Sequence, residues 1–511
     1  MKKLIFLFTF LFFTISQNAQ IQKLSALSVA KFLDSKTIYE ENSDDVFGYF
    51  LLYKKDVKSS TIIELEAILL DKNLNKVNTK TFTIPHLSYW LFKGVPEITF
   101  MQKRGDKLLV NITEIGYADS GFFNKFGYPE LRVFDLKTMD TKPLLENILD
   151  VNAAKTIEKA QLKNPTVNGF ISFDVNYDDA MSGMMSGNQK YLKKISEFTY
   201  FDKDLTPRWT FKYNQDKDAK SFDSYQYFTE NKNDIVFVKE FYEKKNDANA
   251  DETIQFFDVL TGKIKFGYSI VGNASVRRMF FTESKIIIYA LICEGQKKAV
   301  FRADKITGLQ KIELDRATGK ELSSEKLEWS ALSKYLDIDD FGELKSGAFM
   351  HFLSFKHNEK TGKTALFAEG FIPAKNTKIL DGYLLELDSK MAVTQFITIP
   401  KFKNRIDNYD SYGFGLEKAG FFDFLFSQNL PNNDGVVFYY VDNEKGNFAG
   451  RRNPNYVLGI VTYIDGKFEQ QKISLKTNEG NIVPLKARQG YILLRETTKK
   501  ETELRLEKIN Y

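Results

Sequence analysis

Seven times along this chain an extended apolar stretch ends in aspartate and turns straight back into another. It reads Leu69-Leu70-Asp71-Lys72-Asn73, Val133-Phe134-Asp135-Leu136-Lys137, Tyr200-Phe201-Asp202-Lys203-Asp204 and Phe256-Phe257-Asp258-Val259-Leu260-Thr261-Gly262. It continues as Glu313-Leu314-Asp315-Arg316-Ala317-Thr318-Gly319, Glu386-Leu387-Asp388-Ser389-Lys390 and Tyr463-Ile464-Asp465-Gly466-Lys467. An aspartate at a strand end accepts hydrogen bonds from backbone N–H groups two residues on, and Gly or Asn supplies positive φ, so each site predicts a hairpin. The turns at Asp71, Asp135, Asp202, Asp258, Asp315, Asp388 and Asp465 follow one another at similar intervals. Spacing this regular marks an array of supersecondary units.

The intervals hold four strands each. In the second unit these are Glu97–Gln102, Lys107–Glu114, Glu130–Phe134 and Lys142–Leu145. In the fourth they are Tyr225–Thr229, Ile235–Phe241, Thr253–Phe257 and Lys263–Tyr268. The C-terminal stretch gives three more, Val483–Ala487, Tyr491–Glu496 and Glu503–Lys508, with no outer strand after them. A strand from the other end of the chain would complete that sheet and close a ring, removing free edges. The expectation is an all-β chain, a single β-propeller of seven blades, or eight if the C-terminal unit stands alone. Residues 20–511 form it, with a helical insertion near 150–163, where Asp150 and Asn152 can cap and Pro165 blocks continuation. Asp178–Asn188, with Met181, Met184 and Met185, reads as an inserted loop.

A length of 511 residues argues against one ordinary globular core, but repeat arrays grow by adding units. The aromatic share of 14%, with 46 Phe and 25 Tyr, suits pleated half-buried surfaces. The start has the form of a secretory leader: Lys2-Lys3, an apolar run from Leu4 to Ile15, then Ser16-Gln17-Asn18-Ala19-Gln20. Residues 1–19 are therefore expected to be removed and the rest exported to the periplasm, cell surface or medium. No cysteine follows the run, so a lipid anchor has no thiol to use. No later segment approaches the roughly 20 apolar residues of a membrane helix. The net charge of +5 includes Lys2 and Lys3, and the basic residues are dispersed, which argues against nucleic acid.

The chemistry-bearing residues are sparse. His86, His351 and His357 are the only histidines. His351 and His357, six apart in one strand, have equal parity and so should share a face about 20 Å apart, too far for one metal. Asp247, Asn249 and Asp251 alternate as in a calcium loop, but Glu252 stands where the loop needs glycine. Asp337, Asp339 and Asp340 form a second acidic group spoiled by Phe341. No Gly-X-Ser-X-Gly elbow or phosphate loop occurs. Cys293, the one cysteine, follows an apolar run and reads as a buried, inert thiol. No cofactor or metal is expected.

Thr261-Gly262-Lys263 and Thr318-Gly319-Lys320, each three residues after an aspartate, resemble the Asp-X-X-Thr-Gly-Lys turn of quinoprotein-like propellers. Two such turns do not imply a quinone, and a stable hairpin explains them. In layout, with its leader and uninterrupted β-rich chain, the protein resembles uncharacterised exported propeller-like proteins of Bacteroidota, a resemblance that brings no activity with it.

The function expected is a binding or scaffold module for a protein or glycan ligand, since propellers present loops on one face. A hydrolase using inner-strand carboxylates such as Asp174, Asp223 and Asp410 is an alternative, as is an envelope-assembly partner. Aromatics near strand ends can stack on planar or sugar surfaces. Tyr89, Trp90, Tyr409 and Tyr412 are accordingly expected to line a ligand pocket at one ring face.

Overall fold

The computed structural model of the chain describes residues 20–509 apart from 42, 60, 87, 90–91, 117–125, 144–162, 174–192, 194, 205, 217, 245–250, 295–304, 375, 407–412, 419, 431–434, 444–454, 465 and 477–479. Eight antiparallel sheets follow one another along it, which makes the chain an eight-bladed β-propeller. Blade 1 is Lys31–Tyr39, Val46–Ser59, Ile62–Asp71 and Lys76–Pro85. Blade 2 is Phe92–Arg104, Lys107–Gly116, Phe126–Asp135 and Thr141–Pro143, with Ser88–Tyr89 added beside its first strand. Blade 3 is Lys163–Pro165, Phe170–Phe173, Glu197–Phe201 and Pro207–Lys212. Blade 4 is Phe222–Glu230, Asp234–Tyr242, Asp251–Asp258 and Ile264–Ser269. Blade 5 is Ala274–Phe281, Lys285–Cys293, Ile306–Asp315 and Glu321–Glu328. Blade 6 is Phe349–His357, Thr364–Ile372, Thr377–Leu387 and Val393–Ile399, with Asn404–Ile406 on its third strand. Blade 7 is Phe424–Asn429, Gly435–Asn443, Asn455–Ile464 and Lys467–Lys476. Blade 8 is Gly480–Lys486, Tyr491–Thr498 and Thr502–Lys508, completed by Gln20–Lys23.

The expected preference for seven blades is corrected to eight. The aspartates counted in the sequence stand at third-to-fourth hairpins, and the eighth blade has no such hairpin. Its outer strand comes from the far end of the chain, with Gln20 opposite Leu506 and Lys23 opposite Glu503. The expected helix at 150–162, the 178–188 loop and the leader lie outside the described residues.

Asp465 lies outside the described residues; at the other six aspartates the hairpins form as predicted. One carboxylate oxygen of Asp71 accepts the N–H groups of Asn73 (2.8 Å) and Asn75 (2.9 Å). Asp202 does the same for Asp204 and Thr206, and Asp388 for Lys390 and Ala392. Asp258 and Asp315 also take the hydroxyls of Thr261 and Thr318, at 2.8 and 2.6 Å. The same turn recurs on asparagine, where Asn358 accepts Lys360 and Thr361 between the first two strands of blade 6.

Inner and outer strands differ in burial because each sheet is sandwiched between its neighbours. In the second strand of blade 6, Thr364 to Phe371 is buried without alternation, whereas the outer strand Ile264–Ser269 alternates exposed and half-buried. The core therefore sits between blades. Tyr289 and Leu309 of blade 5, with Trp329 just after its last strand, pack with Phe352, Leu366 and Leu385 of blade 6, and each such side chain contributes about 1.5–3 kcal/mol by burial. Polar ties reinforce the joints. Arg104 of blade 2 donates to the carbonyls of Thr166 and Gly169 of blade 3 (both 2.8 Å) while lying over Phe170. Between blades 6 and 7, Lys401 is fully buried against Glu369 (2.8 Å) and Asp423 (2.9 Å). Burial pushes Glu369 up, Lys401 pulls it back and the charge of Asp423 adds to the rise, leaving it at about 7.

Candidate functional site

First strands of adjacent blades approach one another around the axis, as do those of blades 1 and 2, 6 and 7, and 7 and 8. Since strand direction alternates within a blade, first-to-second and third-to-fourth turns share one ring face. Backbone bonds confirm this: Leu136 N donates to Asp106 O (2.8 Å), Val259 N to Asn233 O (3.1 Å) and Arg316 N to Ser284 O (2.9 Å). All of these turns are short, the longest being 40–45 and 358–363. The strand ends at the opposite face are joined by longer stretches of chain, 329–348 and most of 400–423 among the described residues.

At the long-connection end, the axial strands of blades 5 and 6 carry a polar cluster. Both are bulged, at Arg277 and at Leu353, one residue on each being left without an opposite number. A bulge re-aims the side chains that follow it. Arg277 Nη2 donates to Glu417 (2.8 Å) and its guanidinium carbon lies 4.0 Å from the centre of the Phe414 ring, and His351 Nε2 meets the same carboxylate oxygen at 2.8 Å. Glu417 and Phe414 belong to the short helix Gly413–Lys418, at the end of the 400–423 connection. His351 stacks on Phe422, with ring centroids 5.0 Å apart. Gly413 is required there, because a Cβ would sit 2.5 Å from the His351 ring. Burial lowers the His351 pKa against the pull of Glu417. Burial alone would raise Glu417, but the hydrogen bond of His351 and the charge of Arg277 hold it at about 2. The cluster can bind and orient; it contains no nucleophile.

The bulge also corrects the expectation that His351 and His357 share a face. The bulge at Leu353 inverts the parity, so His351 packs toward Phe371 and Phe422 while His357 turns toward Phe280 of blade 5 and bonds Thr364 (2.9 Å). Burial first, then the charge of Lys311, brings His357 down to about 4.

At the tight-turn end, the hairpin 40–45 between the first two strands of blade 1 leans over the axis. Glu40 meets Lys103 (3.0 Å) and Glu41 accepts Gly105 N (3.1 Å), both in blade 2. Asp44 meets Lys356 of blade 6 (3.0 Å) and Lys486 of blade 8 (3.6 Å), and Asp45 accepts Gln489 (3.0 Å). Burial opposes ionisation of Asp44, but the two lysines hold its carboxyl below the usual range. Behind the hairpin lies a cavity of about 650 Å³ lined by Tyr39, Gln102, Lys103, Val167, Gln428 and Gln489, from five blades.

Of the predicted ligand residues, Trp90, Tyr409 and Tyr412 lie outside the described residues, and only the backbone of Tyr89 is described, paired with Phe92. Asp174 and Asp410 also lie outside them; Asp223 is on the first strand of blade 4, paired with Lys239 at 3.1 Å. Asp247 and Asn249 are outside them too, and Asp339 spends its carboxylate on the N–H groups of Phe341 and Glu343. Among the described residues no group of three His, Cys, Asp or Glu could hold a metal, and no helix is long and apolar enough to cross a membrane. Cys293 is buried, which pushes its thiol up to about 12. The Arg277–Glu417–His351 cluster escaped the sequence reading because its members come from distant parts of the chain that only the ring brings together.

A family described as of unknown function, DUF6770, matches residues 403–510, which span blades 7 and 8. No curated protein matches the chain. Among solved structures, it is similar to a quinohemoprotein alcohol dehydrogenase from Pseudomonas putida HK5, at 8% identity and a TM-score of 0.38, over 89% of this chain and 75% of that one. It is also similar to BamB from Moraxella catarrhalis, at 9% identity and a TM-score of 0.25, over 73% and 92%. A prolyl endopeptidase gives 9% and 0.37, over 88% of this chain and 54% of that one. The strand pairing, not these likenesses, defines the propeller.

Proposed function

We propose that the chain is an exported binding or scaffold propeller that presents its long-connection face to a protein or glycan ligand. The observation that carries this reading is the asymmetry of the ring: the described turns of one face are short, none longer than 40–45 or 358–363, while the other carries connections such as 329–348 and 400–423. Long connections tolerate variation without disturbing the blades, and binding residues concentrate on such loops. Export rests on Lys2-Lys3, the Leu4–Ile15 run and the polar exit before Gln20. Cleavage after Ser16 or Ala19 leaves the closing strand Gln20–Lys23 whole. Mass spectrometry of the protein from its native host should therefore find a new N-terminus between about Gln17 and Ile21. For the ligand face, a photo-crosslinking residue is placed at Lys345 or Lys403, on long connections, and at Lys137 or Lys360, in tight turns. Adducts in envelope extracts should form from the first pair. Adducts confined to the second pair would overturn the reading.

A further inference from the structure

We propose that the hairpin 40–45 is a strap drawn across the tight-turn end of the axial channel and held shut by charge. The inference rests on geometry alone and is independent of which face binds a ligand. Blade 1 supplies the hairpin, yet its contacts reach blade 2 on one side and blades 6 and 8 on the other. The Asp44–Lys356 pair joins blades three positions apart round the ring, so the hairpin must reach over the axial opening to make it. The two-residue turn at Gly105-Asp106 in blade 2 has no such reach. Internal bonds shape the strap: Glu40 N to Asp45 O (2.8 Å), Ser43 N to Glu40 O (3.2 Å) and Asp45 N to the Ser43 hydroxyl (3.0 Å).

What holds it is different in kind from what holds the blades. The described strap residues Glu40, Glu41, Ser43, Asp44 and Asp45 bury no apolar side chain; their carboxylates stay about half exposed, on lysines whose side chains are mostly buried. Such half-exposed pairs contribute about 1 kcal/mol each and are partly screened by salt. Segments held this way open locally without global unfolding. The cavity of about 650 Å³ is already partly open beside the strap, and opening would widen its mouth to larger solutes from this face. The strap is thus a gate whose position depends on the Asp44 bridge to Lys356 and Lys486.

The test places a thiol behind the strap. Met101 lines the cavity and is half-buried, so Met101→Cys in a Cys293→Ala background reports access through alkylation by a bulky polyethylene-glycol maleimide. At low salt the reaction should be slow. Asp44→Asn, which breaks the ties to both lysines, should speed it several-fold, and Lys356→Gln, which breaks one of them from the other side of the ring, should speed it less. Sodium chloride at 1 M should accelerate the parent but add little to Asp44→Asn. Equal rates in the parent and both bridge variants, or a parent rate indifferent to salt, would overturn the proposal. Because these are substituted proteins, hydrogen exchange on the natural chain provides a second arm. The amides of Ser43 to Asp45 should exchange faster in high salt while those of Phe50 to Leu52 do not change. Exchange of both segments unaltered by salt would also sink it.

Discussion

Gly262 and Met139 occupy the same place in the same kind of turn, four residues after the capping aspartate, with left-handed backbones at φ +68° and +59°. Yet they fill opposite roles. A Cβ on Gly262 would lie 2.4 Å from the Trp209 ring, which the outer strand of blade 3 lays over the turn of blade 4. Gly319 is likewise covered by Phe266 of blade 4, at 2.2 Å from a would-be Cβ. Met139, by contrast, is fully buried in the joint between blades 1 and 2, and Asn78 of the blade 1 outer strand reaches the turn only as a hydrogen-bond donor, to Lys137 O (2.9 Å). Leu74 (φ +66°) and Met391 (φ +64°), three residues after their aspartates in turns one residue shorter, also bury an apolar side chain on a left-handed backbone, in the joints of blades 8 with 1 and 5 with 6. These joints are filled from one side or the other: by an aromatic on the outer strand with glycine in the next turn, or by a long apolar side chain in the turn itself. An apolar residue with positive φ is uncommon and strained. Here burial offsets the strain.

The largest effect should come from emptying an apolar turn. Met139→Ala removes a fully buried side chain and keeps the left-handed backbone, so it should cost about 3 kcal/mol in urea denaturation. A loss below about 1 kcal/mol would mean that the joint does not depend on the turn residue.

Next is the converse change. Gly262→Ala should cost about 2 kcal/mol, combining overpacking against Trp209 with left-handed strain. In a Trp209→Ala background only the strain should remain, about 1 kcal/mol. A double-mutant cycle isolates the difference. Additive effects would show that ring and turn do not compete for the same space.

These joints were half legible in the sequence. The capping aspartates announced the hairpins because a hydrogen bond two residues along the chain is local chemistry, and Thr261-Gly262 and Thr318-Gly319 stood out within them. What made those glycines necessary, Trp209 and Phe266, lies on the preceding blade and only meets them through the ring. The eighth blade was legible as three C-terminal strands and a closing strand from the other end of the chain, but it went uncounted in the preference for seven because Gln20–Lys23 and Thr502–Lys508 pair across nearly the whole chain and leave no turn to count. The bulge at Leu353, which separates the faces of His351 and His357, carries no residue signature at all. For the candidate site, Lys356, Lys486 and Asp44 are ordinary surface charges until the fold gathers them, whereas the four aromatics picked from loop positions were chosen by composition, which does not specify a place.

The smallest effect is the sharpest, because it concerns a sign. In a strand interior such as Leu69, alanine should be better tolerated than glycine by about 0.5–1 kcal/mol, since glycine gives the unfolded chain more freedom to lose. At Met391 the order should reverse. Both Met391→Ala and Met391→Gly forfeit the same buried contacts with blade 5, so those losses cancel in the comparison. What remains is left-handed strain, about 1–2 kcal/mol for alanine and none for glycine, set against glycine's entropic handicap. The difference should leave Met391→Gly more stable than Met391→Ala by about 0.5 kcal/mol. Urea midpoints of the two variants, measured beside Leu69→Ala and Leu69→Gly, read this directly. If alanine is better at both positions, the backbone at Met391 stores no strain. The apolar turns would then be an alternative shape of hairpin and not a glycine position taken over by a side chain.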